Sequence, residues 1–235
     1  MRIGLFSDVH GNLTALDAVA RQLEQHQPLD AVVVAGDLLW GGARPAEVWD
    51  RLTTAGWTLV RGNADETIAS DTVDDDFPVG SPLRGAAERL HAWTRKSIGP
   101  DVRALLAALP AEHRVPTPAG DLLVVHSSPR GTRDRCGAPH NPAAEVAAAY
   151  GDTGAAAIAF GHWHASFVRI MPFGVLINVA SVGLPLDGLP LASYTIVTAS
   201  ESGWTVEQRR VPFEEALEAR AAAQTGKPPW APDLM

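Results

Sequence analysis

The chain has 235 residues, a formal net charge of −8 and 46% hydrophobic residues. That length supports one substantial core with short appendages, and no apolar stretch is long enough to span a bilayer. The acidic balance argues against tight binding to polymeric nucleic acid, which needs a basic surface, but leaves small anionic substrates open because a bound metal can supply positive charge locally.

The opening residues, MRIGLFSDVHGN, reach Asp8 after a short apolar run, without the apolar core and cleavage site of a signal peptide, so the cytoplasm is the expected location. RIGLF (2–6) reads as a strand. NLTALDAVARQLEQ (12–25) carries apolar residues at helical spacing behind Asn12, a good N-cap. AVVVA (31–35) reads as a buried strand, Pro45–Leu52 as a helix and WTLV (57–60) as a third strand, a βαβαβ start that implies parallel strands under packed helices. Asp71 to Gly85 reads as an acidic loop, followed by helices near 84–96 and 100–109. Beyond it HRVPTPAGDLLVVH, SFVRIMPFGVLINV and ASYTIVTASESGWTVEQRRV each read as a hairpin. Cys136 is the only cysteine, which excludes an intrachain disulfide and a thiolate-rich zinc site. A last helix is expected over Pro212–Ala223, then a loose tail in which Trp230 and its prolines are available for covering an apolar patch or for self-association. The pattern is one α/β domain with a mixed, two-layer sheet core.

Polar residues of one chemical kind follow the strands. Asp8 and His10 come after the first, Asp37 after the second, and Asn63 and Asp65 after the third. DLLVV ends in His126, and the apolar run 155–160 leads into GHWH, with His162 and His164 two residues apart. In extended chain, residues i and i+2 point to one side. Each item alone is weak: an Asp after a strand is commonly a helix cap, and a His-x-His pair can be two solvated loop residues. Together, seven such side chains beyond strand ends would be a costly polar concentration beside a buried sheet. A pair of divalent cations resolves the cost, because two metals need about this many nitrogen and oxygen ligands with one carboxylate bridging.

Asp8-x-His10, Gly36-Asp37, Gly62-Asn63, His126 and Gly161-His162-x-His164 resemble the signature of calcineurin-like metallophosphoesterases, over residues 2 to about 198. GDLLWGGARPAEV, VVHSSPRG and NVASVGLPLDGLPLASYTIV resemble the small prokaryotic phosphodiesterase branch. The resemblance implies an α/β fold, a four-layer α-β-β-α sandwich with two mixed β-sheets. It places the metallophosphoesterase domain at 1–212 and a C-terminal helix and tail at 213–235. It also implies one metal on Asp8, His10, Asp37 and His164 and a second on Asp37, Asn63, His126 and His162. Asp37 would be the bridge, with a hydroxide between the ions as nucleophile. Manganese is the expected metal, and such ligands equally accept iron, zinc, nickel and cobalt.

Departures from the family pattern bear on the chemistry. Trp40 stands where many relatives have a second Asp. Ala64 replaces the His thought to protonate the leaving group, so Asp65, water or His140 is expected to substitute. Leu184, Leu186 and Leu191 replace positions that are often polar or basic, suggesting an apolar rim or partner surface. The loop SSPRGTRDRCGAPHN offers Arg130, Arg133, Arg135 and His140 to a second phosphate or a nucleotide, with Arg130 and His140 as the expected substrate contacts; a solvated loop is the alternative. The expected activity is a phosphodiesterase on a small phosphoester or nucleotide. The alternatives are a phosphomonoesterase, a dinucleoside polyphosphate hydrolase, or a non-catalytic protein-binding scaffold of the same fold.

Overall fold

The computed structural model describes residues 1–73, 77–81 and 83–229. Trp230 and the end of the tail lie outside the described residues. The first sheet contains β1 (Arg2–Phe6), β2 (Ala31–Val34), β3 (Thr58–Leu59), β9 (Ala192–Ser200) and β10 (Gly203–Val211), in the order β10-β9-β1-β2-β3. The second contains β4 (Glu112–Val115), β5 (Leu122–Val125), β6 (Ala157–Phe160), β7 (Ser166–Met171) and β8 (Gly174–Val179), in the order β4-β5-β6-β8-β7. Strands β1, β2 and β3 run parallel, as do β5, β6 and β8, while the three predicted hairpins supply the antiparallel pairs β4–β5, β7–β8 and β9–β10.

Period-two alternation explains the layering. Ile3 and Leu5 of β1 meet Leu122 and Val124 of β5 and Ala157 and Ala159 of β6 in a core between the sheets. The intervening side chains point outward. Phe6 packs under α1 (Leu13–Gln25), α2 (Pro45–Thr54) and α4 (Arg84–Ala108), whereas Leu123, Val125, Ile158 and Phe160 pack under α5 (Ala143–Tyr150). With both faces covered, these strands are apolar throughout. The result is the expected four-layer sandwich.

Asn12 caps α1 as read, its side chain accepting from the Ala15 amide at 3.0 Å. The two helices expected near 84–96 and 100–109 are joined end to end in α4, broken at Gly99 (φ 72°, ψ 176°) ahead of Pro100. The last helix, α6 (Glu215–Thr225), begins later than expected, behind an extended Glu214. Two helices escape the sequence pattern. One is α3 (Asn63–Ala69), of only seven residues, and the other is the alanine-rich α5, which has no contrasting apolar stripe. No helix among the described residues is long and apolar enough to cross a membrane.

Candidate metal centre

The carboxyl ends of β1, β2, β3, β5 and β6 converge where the two sheets meet, and backbone hydrogen bonds tie the emerging loops together. The Asp8 amide donates to Gly36 O (2.9 Å), the His10 amide to Asp37 O (3.0 Å), the Gly161 amide to His126 O (2.9 Å) and the Gly183 amide to Asp8 O (2.9 Å). The loops approach so closely that two positions admit no side chain. A Cβ on Gly62 would stand 2.1 Å from Asp37 Oδ1, and one on Gly161 would stand 2.2 Å from Asp8 Oδ2.

All seven side chains expected as ligands come together here. Asp8 Oδ1 lies 3.0 Å from His164 Nε2 and 3.7 Å from His10 Nε2, and the two Nε2 atoms are 3.2 Å apart. Asp37 sits between this group and the next, with Oδ2 3.8 Å from His10 Nε2 and Oδ1 3.4 Å from His126 Nε2. Asn63 Oδ1 accepts from His126 Nε2 and from His162 Nδ1, both at 2.9 Å. Two sets, Asp8 with His10 and His164, and Asp8 with Asp37 and His126, each bring three ligand atoms within 4.8 Å of one another.

Three observations fit this donor set to a cation. Asp8 Oδ1 is buried and has no hydrogen-bond partner, although imidazole nitrogens surround it. Such an orphan is costly unless something else satisfies it. His10, His126 and His164 each donate Nδ1–H to a main-chain carbonyl, of Trp40, Ala35 and Leu184, which orients the rings with Nε2 toward the cluster. Finally, six non-glycine residues among those described have positive φ, and five of them are Asp8, His10, Asp37, His162 and His164, at 50–65°. Each such conformation costs on the order of 1–3 kcal/mol and persists where surrounding structure enforces it.

The charges are interdependent. Burial opposes ionisation of Asp8, but His164 and His10 outweigh it and hold the carboxyl well below its ordinary range. Burial likewise opposes protonation of His10, yet Asp8 and Asp37 push it up to about 9, and His126 is raised through the same carboxylates. His162 goes the other way, down to about 4, through burial and the neighbouring charge of His126.

Residues outside the seven position them. Asp65 is fully buried and accepts from the Asp37 and Gly62 amides through Oδ2 and from the Leu38 amide through Oδ1, each at 2.9 Å. Burial and the proximity of Asp37 raise it to about 7. Its oxygens are turned into the loop rather than toward a substrate, contrary to the proton-donor role expected of it. Arg133 donates to Asn63 O and Thr67 Oγ1, both at 2.9 Å, and pairs with Glu66, locking the first turn of α3. Asn178, fully buried, donates to Gly161 O (2.6 Å) and accepts from the Ala180 amide (2.9 Å); the unusual NVASVG run was its only sequence signal. The expected substrate contacts lie elsewhere. Arg130 donates to Ala148 O at 2.8 Å on α5, His140 is exposed, and neither lines the cleft over the centre.

That cleft, of about 200 Å³, is bordered by His10, Asp37, Asn63, Thr67, His162 and His164 on the polar side and by Trp40, Ala64, Phe77 and Leu184 on the other. Trp40 stacks on Phe77 with ring centroids 6.3 Å apart. The position of the missing second Asp is therefore an aromatic wall.

The model of the calcineurin-like phosphoesterase superfamily domain matches residues 1–202. The chain belongs to this superfamily. It is similar to a metallophosphoesterase from Sphaerobacter thermophilus, at 27% identity and a TM-score of 0.73 over 97% of this chain and 95% of that one. It shares its fold with a hypothetical protein from Pyrococcus horikoshii, at 17% identity and a TM-score of 0.84 over 97% and 94%. An uncharacterized protein of Methanocaldococcus jannaschii is 26% identical over 97% of this chain and 94% of its own length. Superfamily members use divalent metals, and the clustered carboxylates and imidazoles described above are the matching ligand groups in this superfamily member.

Proposed function

We propose that the protein is a dinuclear metal-dependent phosphodiesterase acting on small phosphodiesters. The observation that carries the reading is the convergence of seven ligand side chains, five of them on strained backbone, around a buried carboxylate oxygen that makes no hydrogen bond and is approached only by imidazole nitrogens. Asp8, His10, Asp37 and His164 would hold one ion and Asp37, Asn63, His126 and His162 the other; imidazole, carboxylate and amide without thiolate accept manganese, our first choice, as well as iron, zinc, nickel or cobalt. When bound, two such ions lower the pKa of water and neutralise phosphoryl oxygens.

The chain's own residues favour a diester over a monoester. Among the described residues, no arginine or lysine lines the cleft. A monoester dianion would have to sit there without a cationic side chain, whereas a diester carries a single charge. The cleft also lacks a positioned acid, because Ala64 lines it and Asp65 faces the loop. Leaving groups that depart as stable anions are therefore served best. With a net charge of −8, a small phosphoester or nucleotide is favoured over polymeric nucleic acid.

The test compares bis(p-nitrophenyl) phosphate with p-nitrophenyl phosphate, using metal-stripped protein reloaded with each of manganese, iron, zinc, nickel and cobalt. Diester turnover at least tenfold above monoester turnover is expected. Preference for the monoester would overturn the diester reading, and metal binding without turnover of either would favour a scaffold.

A further inference from the structure

A second cavity, of about 570 Å³, opens beside the metal cleft and is nearly three times its size. The two share His10 and Leu184. The larger one is walled by the loop after β8 and by α6, through Leu189, Phe213, Ala219 and Ala222, and its lining is mainly apolar. Its volume lies in the range of small-molecule sites, whereas the metal cleft is too small for a phosphoryl group with a bulky substituent.

Both walls are clamped. Glu218 of α6 accepts from the Ala43 amide (3.0 Å), from Thr14 Oγ1 (3.0 Å) and from Arg44 Nη2 (2.7 Å), fixing the helix on the loop after β2 and on α1. Asp187 pairs with Arg210 of β10, with Nη1 donating at 3.0 Å, and Asn12 Nδ2 donates to Gly183 O at 3.2 Å. The chamber is thus built before any ligand arrives. Apart from the shared His10, which would be a metal ligand, its ionisable lining is Glu215, Glu218 and Lys227, so it offers no surplus of positive charge to a second phosphate.

Resting on the phosphodiesterase reading, we infer that this chamber is the subsite for one organic ester group of the substrate: an uncharged aromatic or aliphatic substituent, up to nucleoside size, on the phosphoryl group held beside His10. Continuity through His10 and Leu184 ties that occupant to the reacting phosphorus. The apolar lining selects against small or charged substituents.

Calorimetric binding of methylphosphonate and phenylphosphonate to the manganese-loaded protein tests the assignment without turnover. Phenylphosphonate is expected to bind about tenfold tighter or more, as burying an aromatic ring should give. Ala222→Trp, and independently Ala219→Phe, fill the chamber and should bring that ratio below about threefold, the size of change expected when a buried ring is refused. Ala223→Trp, on the exposed side of α6, should leave the ratio intact. Thermal unfolding of each variant shows that it is folded. Equal affinity for the two phosphonates in the wild type, no binding of either, or a preference that survives both filling variants would overturn the inference. Hydrolysis of bis(p-nitrophenyl) phosphate by the wild type separates the readings. Turnover without a phenyl preference sinks the chamber alone, and a phenyl preference without turnover sinks the phosphodiesterase reading alone.

Discussion

In the half of the centre built from Asp8, His10 and His164, Asp8 Oδ1 makes no hydrogen bond and is held only by the charge of the nearby rings, 3.0 Å from His164 Nε2 and 3.7 Å from His10 Nε2. In the half built from Asn63, His126 and His162, the same kinds of atom satisfy one another, with the Asn63 carbonyl accepting from both rings. The first arrangement exchanges imidazole contacts at a carboxylate oxygen, and the proton on His10, for a cation. The second must give up two hydrogen bonds to receive one. The difference teaches that ligand number alone does not set affinity, because each half starts from a different resting energy. Two-step loading follows, with the Asp8 half filling at the lower metal concentration.

Asp37→Ala would break the comparison altogether, because that carboxylate reaches His10 on one side and His126 on the other. Loss of both ions is expected by elemental analysis, with activity down on the order of 10³-fold, since disturbing even outer partners of a metal site costs 10–100-fold at each. Retention of two metals and full activity would refute the shared site.

His164→Ala and His126→Ala should separate the halves. The first should weaken the tighter step of a metal titration by about 100-fold and the second the weaker step by a similar factor. If either variant weakened both steps equally, the two-site assignment would fail.

Ala64→His sharpens the chemistry next to the satisfied half. An untuned acid supplies only part of the usual general-acid effect, so a gain of about tenfold is expected on alkyl leaving groups and little on nitrophenyl ones. The check is kcat/KM against leaving-group pKa, and a flat wild-type profile would show that an acid is already in place.

A smaller effect is the pH dependence of metal loading. Burial lowers His10, but Asp8 and Asp37 outweigh it and push the ring up to about 9, so at pH 7 it is protonated in the metal-free protein. A ligating imidazole must be neutral. Metal uptake should therefore release protons at pH 7, and affinity should rise with pH until about 9 and then level. Calorimetry in buffers of different ionisation enthalpy measures the release, and uptake with no proton release would contradict the charge state. The smallest effect is assigned to Arg130→Ala, less than about twofold in kcat/KM, because surface substitutions away from such features are nearly silent and its guanidinium is engaged with Ala148 O.

The seven clustered side chains were legible because each follows an apolar strand, and strand ends are where an α/β sheet gathers its polar groups. Asp65 and His91 show where that logic stops. Asp65 follows Asn63 in a motif rich in acids and invites a catalytic reading, yet its partners are three backbone amides from two loops that meet only in the fold. His91 falls in a predicted helix with no motif around it, yet it is buried, and its Nε2 donates to Thr67 O at 2.9 Å, tying α4 to the end of α3. Replacing it would disturb the support of Asn63.

By itself the sequence determined the strands, the order of the ligand residues and the apolar character of the loop around Leu184, because period-two burial, glycine punctuation and residue chemistry are local properties. Only the tertiary structure decided which oxygen is left unsatisfied, that Arg130 turns away while Arg133 locks α3, and that α6 closes a chamber beside His10. Those outcomes depend on distances between segments far apart in the chain, such as Thr14 and Glu218, which no local pattern encodes.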